Sequence, residues 1–206
     1  MFDFFNQDTI FVILALLIAL TVHEYAHARV AVYFGDPTPR LQGRLSLNPL
    51  VHIDPLGLIV MVLAKFGWAK PVMFDPRYFR NVRKGIFWVS LAGALVNLAV
   101  GFLALIVFRV LILFTDNDFA LQLTRYVFIY NIYFALFNLI PVPPLDGSKV
   151  VMMLLPYKAM RQYERIEPYG FWILMALIFL GVIGKIIMPL FYLISGIMQS
   201  IVGLFF

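Results

Sequence analysis

The 206-residue chain is 63% hydrophobic and only 13% charged, whereas a soluble domain of this size is about half apolar and about a quarter charged. So few charges cannot cover a water-facing surface, which excludes a soluble globular protein and predicts an integral membrane protein. The formal net charge of +5 then marks cytoplasmic loops rather than a nucleic-acid partner, and the absence of cysteine excludes disulfides and thiolate metal sites.

No linker, repeat or low-complexity tract divides residues 1–206, so a single domain is expected. The N-terminus carries Asp3 and Asp8 instead of the basic region of a signal peptide, so the first apolar segment should be retained. A spanning helix needs about 20 apolar residues. The first such segment runs from about Thr9 to Phe34, and its uncharged stretch Ile10–Leu20 leads directly into His23-Glu24-Tyr25-Ala26-His27. Gly35 to Pro55 differs. Pro37, Pro39, Gly43, Pro49 and Pro55 surround the alternating run Arg44-Leu45-Ser46-Leu47-Asn48, the pattern of a short strand or hairpin. Leu56 to Phe66 is apolar but too short for a span and is expected to be re-entrant or partly inserted. Ile86 to Phe114 and Leu121 to Ile140 are the next spans, and Leu145 to Leu155, between Pro144 and Pro156, is another short insertion. Tyr169 to Met188 and the shorter Pro189 to Phe206 complete the chain. The expected fold is an all-α polytopic membrane protein of about five to six transmembrane helices, with a short membrane-associated β segment after the first helix.

Charge sets the orientation. Gly67 to Gly85 carries Lys70, Arg77, Arg80, Arg83 and Lys84 against Asp75, and Pro156 to Pro168 carries Lys158, Arg161 and Arg165 against Glu164 and Glu167. The turn near Thr115 carries only Asp116 and Asp118. The positive-inside rule puts the basic regions in the cytoplasm and that turn outside. His23 and His27 then lie in the cytoplasmic half of the first helix. Lys185 falls near an outer end in this scheme, against the other charges.

The five residues from His23 form H-E-x-x-H, the zinc motif of metalloproteases. On a helix the two imidazoles share a face, and Glu24 lies about 100° round from His23, able to approach a metal-activated water without ligating the ion. The bland alternative is two hydrogen-bonded core histidines. Three ionisable groups in one turn of a membrane helix are costly without a function, which favours a metal site. A catalytic zinc needs a third protein ligand. Asp146, in Asn138-Leu139-Ile140-Pro141-Val142-Pro143-Pro144-Leu145-Asp146-Gly147, fits that role as well as it fits a turn or helix N-cap.

H-E-x-x-H in one membrane helix, followed far downstream by N-x-x-P-x-P-x-L-D-G, resembles the site-2 protease family of intramembrane zinc metalloproteases. The resemblance covers about Thr9 to Leu155, the catalytic core, with C-terminal helices over 169–206. It implies one zinc ion per chain on His23, His27 and Asp146, with Glu24 as general base. The family's G-x-x-x-N pattern is matched by Gly93-Ala94-Leu95-Val96-Asn97, and the family's β segment near the active site would fall in Gly35 to Pro55. Ser148 stands where many members have a second glycine. Nothing in the sequence resembles a PDZ or CBS domain, so a small form without them is expected.

Three further polar residues have two roles open. Asn97 either stabilises an oxyanion or contacts substrate, or makes an interhelical hydrogen bond. Asn138 either binds unwound substrate backbone or caps the break before Pro141. His52 is either near the site, behind the ligands or as a latent ligand, or a loop histidine bonded to Asp54. The leading expectation is an intramembrane zinc endopeptidase of the cell membrane. It would cleave transmembrane helices of other membrane proteins toward the cytoplasmic side. A non-enzymatic metal carrier or channel is the rival, since intramembrane His, Asp and Glu also line ion pathways. A pseudoprotease that retains membrane helices is a third. Substrate, trigger and oligomeric state are not encoded legibly.

Overall fold

A computed structural model describes residues 7–54, 57 and 70–205. Three long helices form its centre: α1 (Gln7–Tyr33), α3 (Val82–Phe114) and α4 (Asp118–Asn138). A single turn, α2 (Thr38–Leu41), follows α1. After α4 come α5 (Asp146–Leu154), α6 (Tyr157–Glu164), α7 (Gly170–Phe179) and α8 (Val182–Val202).

The helices meet along two stripes with a four-residue step. Ala15, Ala19, His23, His27 and Ala31 are all buried on α1. Gly85, Val89, Gly93, Asn97, Gly101 and Leu105 are buried on α3. Small residues at that spacing let helix backbones approach closely in a membrane, where dispersion rather than water exclusion drives association. The H-E-x-x-H histidines thus occupy two steps of a packing stripe. Beyond them, Ala15, Leu105, Phe128, Ile132 and Leu136 close the core between α1, α3 and α4, and Ile183 and Ile187 of α8 join it.

Asn81 and Asn117 cap α3 and α4 by accepting the Lys84 and Ala120 N–H groups. At its basic end α3 is tied to α5: the Arg83 guanidinium donates to the carbonyls of Met153 and Leu155, groups that a helix end leaves without intrahelical partners. The proline run between α4 and α5 is braced from the other side. The Tyr163 hydroxyl donates to the Pro141 carbonyl at 2.6 Å, and Gly170 sits so close to Pro143 that a Cβ would overlap it.

Three expectations are not met as made among the described residues. Among the described residues, three helices have the length and apolarity of a span, within Asp8–Tyr33, Val82–Phe114 and Val182–Val202, short of five to six. α4 has the length, but Gln122, Thr124, Arg125, Asn131 and Asn138 dilute its apolarity. Tyr169 to Met188 is no single span, because the chain breaks at Gly181, where φ is +69°, a conformation open to glycine and strained for other residues. Pro189 lies inside α8 rather than at a helix start. Pro lacks only one N–H, and membrane helices tolerate that loss.

The β segment is the third. Among the described residues, Gly35 to Asp54 holds α2, a 3-10 turn at Pro49–Val51 and an isolated bridge at Ile53, with no strand. Side chains satisfy its backbone instead. Asp36 accepts from Thr38 N–H, Asn48 from Leu50 N–H, and Arg44 donates to the carbonyls of Val51 and Lys70. Leu56 to Phe66, apart from Gly57, lies outside the described residues.

α8 also fixes where Lys185 lies in the bundle. Tyr133 of α4 stacks on Phe191, while Ser195 and Gln199 share a cavity with Arg125 and Phe128. The two helices therefore run antiparallel, and Lys185 lies toward the C-terminal end of α4, the end where α6 and its basic residues follow.

Candidate metal centre

The two histidines and the distant aspartate converge. His23 Nε2 and His27 Nε2 each lie 3.0 Å from Asp146 Oδ2. Asp146 is the first residue of α5, and Leu145 before it is the N-cap. The Asp146 carboxylate therefore points at the imidazoles rather than capping its own helix. Gly147 is fixed by space: a Cβ there would overlap the carbonyls of Leu139 and Ile140.

Each imidazole is anchored from behind. His27 Nδ1 lies 2.7 Å from the Val89 carbonyl, and His23 Nδ1 lies 2.8 Å from Asn97 Oδ1. A carbonyl only accepts, so His27 Nδ1 carries the proton and Nε2 is left with a lone pair in the neutral ring. The same tautomer follows for His23, because both Asn97 N–H groups are used elsewhere. They donate to the Ala19 carbonyl at 2.9 Å and to Asn131 Oδ1 at 2.8 Å. Gly93 makes room for this, since a Cβ there would overlap the His23 ring. Two Nε2 lone pairs and a carboxylate oxygen, with all ligand atoms within 4.8 Å of one another, match the donor set of a zinc site that keeps one position open. The anchoring partners are of the kind that orient metal-binding histidines.

Glu24 is buried beside them, and its Oε2 accepts the Val72 N–H at 2.9 Å. All four side chains border one cavity of about 610 Å³, whose wall also includes Ser90, Phe134, Asn138 and Lys149. Asn138 donates to the Phe134 carbonyl, one turn back in its own helix, at 3.0 Å. That amide does not cap the break before Pro141.

Two expected roles are revised. Asn97 is completely buried and has no N–H left for an oxyanion, so it positions His23. His52 is also completely buried and is not among the cavity-lining residues. Its Nε2 meets the Ser46 carbonyl at 2.8 Å and its Nδ1 makes no hydrogen bond to any described residue, so neither a ligand position nor the bond to Asp54 is realised. Asn131, Val89 and Val72 also support the cluster and are not among the residues expected from the sequence. An asparagine inside an apolar helix is a signal that could have revealed the first; the other two act through backbone groups, which leave none.

Asn97→Leu removes the His23 anchor without touching the ligand atoms. It should weaken zinc affinity about ten- to hundredfold, measured by competition with a chromophoric chelator. Asn97→Asp, which retains an acceptor, should lose less. Equal affinity in all three proteins would contradict the positioning role.

Comparison with known proteins follows the same outline. The profile of peptidase family M50 matches residues 114–181, the stretch containing α4, the proline run and Asp146. "Putative zinc metalloprotease YwhC" of Bacillus subtilis is 37% identical over 173 residues, covering 81% of this chain and 79% of the relative. "Putative zinc metalloprotease Rip2" of Mycolicibacterium smegmatis is 31% identical over 191 residues, covering 89% and 72%. Rip2 of Mycobacterium tuberculosis is 34% identical over 152 residues, covering 67% and 54%. No solved structure matches the chain. The chain belongs to peptidase family M50, the site-2 protease family.

Proposed function

We propose that this protein is an intramembrane zinc endopeptidase that cleaves transmembrane segments of membrane proteins near the cytoplasmic face. One observation carries the proposal: a buried carboxylate, Glu24, lies beside a His23–His27–Asp146 cluster whose imidazoles are both held with Nε2 toward a common point. A metal carrier needs the cluster but not Glu24.

His23, His27 and Asp146 would hold one zinc ion. When bound, zinc supplies Lewis acidity that brings the pKa of a coordinated water to about 7. Glu24 accepts the proton of the attacking water and passes it to the leaving amine nitrogen. The Val72 N–H holds the carboxylate in place between those two transfers. Val89 and Asn97 hold both imidazoles in the tautomer that binds metal. Apolar walls from Leu16, Leu20 and Phe137 restrict bulk water in the cavity.

The substrate is a transmembrane helix that must unwind locally, because a helical carbonyl is already hydrogen-bonded and shielded. Asn138 and Lys149, polar residues of the cavity wall, would receive the freed backbone groups. Orientation rests on the basic loops, with Lys185 now agreeing with them. Sealed proteoliposomes holding the protein and a reconstituted model transmembrane peptide provide the test. Cleavage without zinc flux is expected; zinc flux without cleavage would overturn the enzyme in favour of a carrier.

A further inference from the structure

The end of the bundle away from the zinc cluster carries two cations that the protease chemistry does not use. Arg109 of α3 lies twelve residues beyond Asn97, about 18 Å along the helix. Arg125 is the eighth residue of α4, just past its second turn. Both line one cavity of about 280 Å³ between α3, α4 and α8. Arg109 is half-buried and Arg125 exposed. Neither makes a hydrogen bond or ion pair to any described residue, although Arg77, the exposed arginine of a loop, is paired with Asp75. The cavity lining is otherwise mostly apolar, with Phe128 and Phe191 among its walls, and Tyr192, Ser195 and Gln199 of α8 add polar groups beside the arginines.

The half-buried Arg109 guanidinium beside apolar walls is costly without a counter-ion, and Arg125 adds a second positive charge to the same cavity. Among the described residues, no carboxylate lines the cavity. The basic loops that the positive-inside rule explains lie at the opposite end of the bundle, so these two arginines need another explanation. Guanidinium groups suit phosphate oxygens, often through paired hydrogen bonds. Arg109 lies in the last two turns of a helix long and apolar enough to span a bilayer, and near the end of such a helix the abundant phosphate is a lipid headgroup, its acyl chains running along the apolar helix faces.

We propose that Arg109 and Arg125 form a binding site for one anionic phospholipid. Its phosphodiester would sit between the two guanidinium groups, with Tyr192 and Gln199 contacting the headgroup. This site is independent of the zinc cluster and of the reaction.

The test uses the full chain in neutral detergent. It is titrated separately with phosphatidylglycerol, phosphatidylcholine and tail-free glycerol phosphate, and bound ligand is counted by native mass spectrometry. One phosphatidylglycerol per chain should bind in preference to phosphatidylcholine, and glycerol phosphate should not bind. R125Q, at an exposed position that cannot disturb packing, should weaken phosphatidylglycerol about fivefold, and R109Q/R125Q about thirtyfold, the worth of one and two cations at an anionic surface. R109K/R125K should retain most of the affinity. Unchanged phosphatidylglycerol binding in R125Q, equal binding of phosphatidylcholine, or equal binding of glycerol phosphate would each overturn the proposal.

Discussion

Glu24→Gln should reduce cleavage of a transmembrane peptide about a hundred- to ten-thousandfold while leaving zinc content at the wild-type level. That range is the usual contribution of a positioned general acid–base group. The substitution removes the proton acceptor and leaves His23, His27 and Asp146 untouched. The amide is isosteric, and its oxygen can still accept the Val72 N–H that Glu24 Oε2 accepts at 2.9 Å. Packing around residue 24 should therefore hold, and unfolding temperature should change little. Wild-type cleavage rates in this variant would sink the proposed role of Glu24. Loss of zinc together with activity would instead make Glu24 part of the metal site.

Asp146→Ala should have the other large effect, on metal rather than on chemistry. The cluster loses its only carboxylate, and two imidazoles from adjacent turns of one helix remain. Zinc affinity should fall by more than the roughly hundredfold that loss of an anchoring partner costs, and activity should fall with it. Asp146→Asn is the control for the fold. It preserves the volume beside the crowded Gly147 turn, where carbonyls leave no room for rearrangement, and should also lose zinc. Elemental analysis of the purified proteins reads the result. Full zinc occupancy in both variants would remove Asp146 from the metal centre.

The residues of the candidate metal cluster were largely legible because their chemistry contradicts their surroundings. His23, Glu24 and His27 interrupt an apolar helix, and Asp146 follows a run of prolines that no spanning helix would carry. Both signals survive without tertiary information. Asn97 was visible as an intramembrane amide, but its role depends on partners 34 and 74 residues away, Asn131 and His23. The Val89 carbonyl and Val72 N–H carry no side-chain signal at all. The fold was less legible at its C-terminal end. Pro189 has the sequence signature of a helix boundary and is not one, while Gly181, inside the expected span Tyr169 to Met188, breaks the chain with a φ of +69°. In Gly35 to Asp54 the alternation around Leu45 suggested a strand. Arg44 turns inward to bind two carbonyls across the loop, so local side-chain bonds replaced strand pairing.

The most direct measurement is the position of the cut. Wild-type protein in proteoliposomes should be given a peptide with a single apolar span, and the product masses determined. Proteolysis at the zinc cluster predicts a scissile bond inside the apolar span, toward its cytoplasmic end, with zinc chelation abolishing both products and added zinc restoring them. Cleavage only in the flanking polar sequence, or products that persist after chelation, would contradict hydrolysis at this site within the membrane.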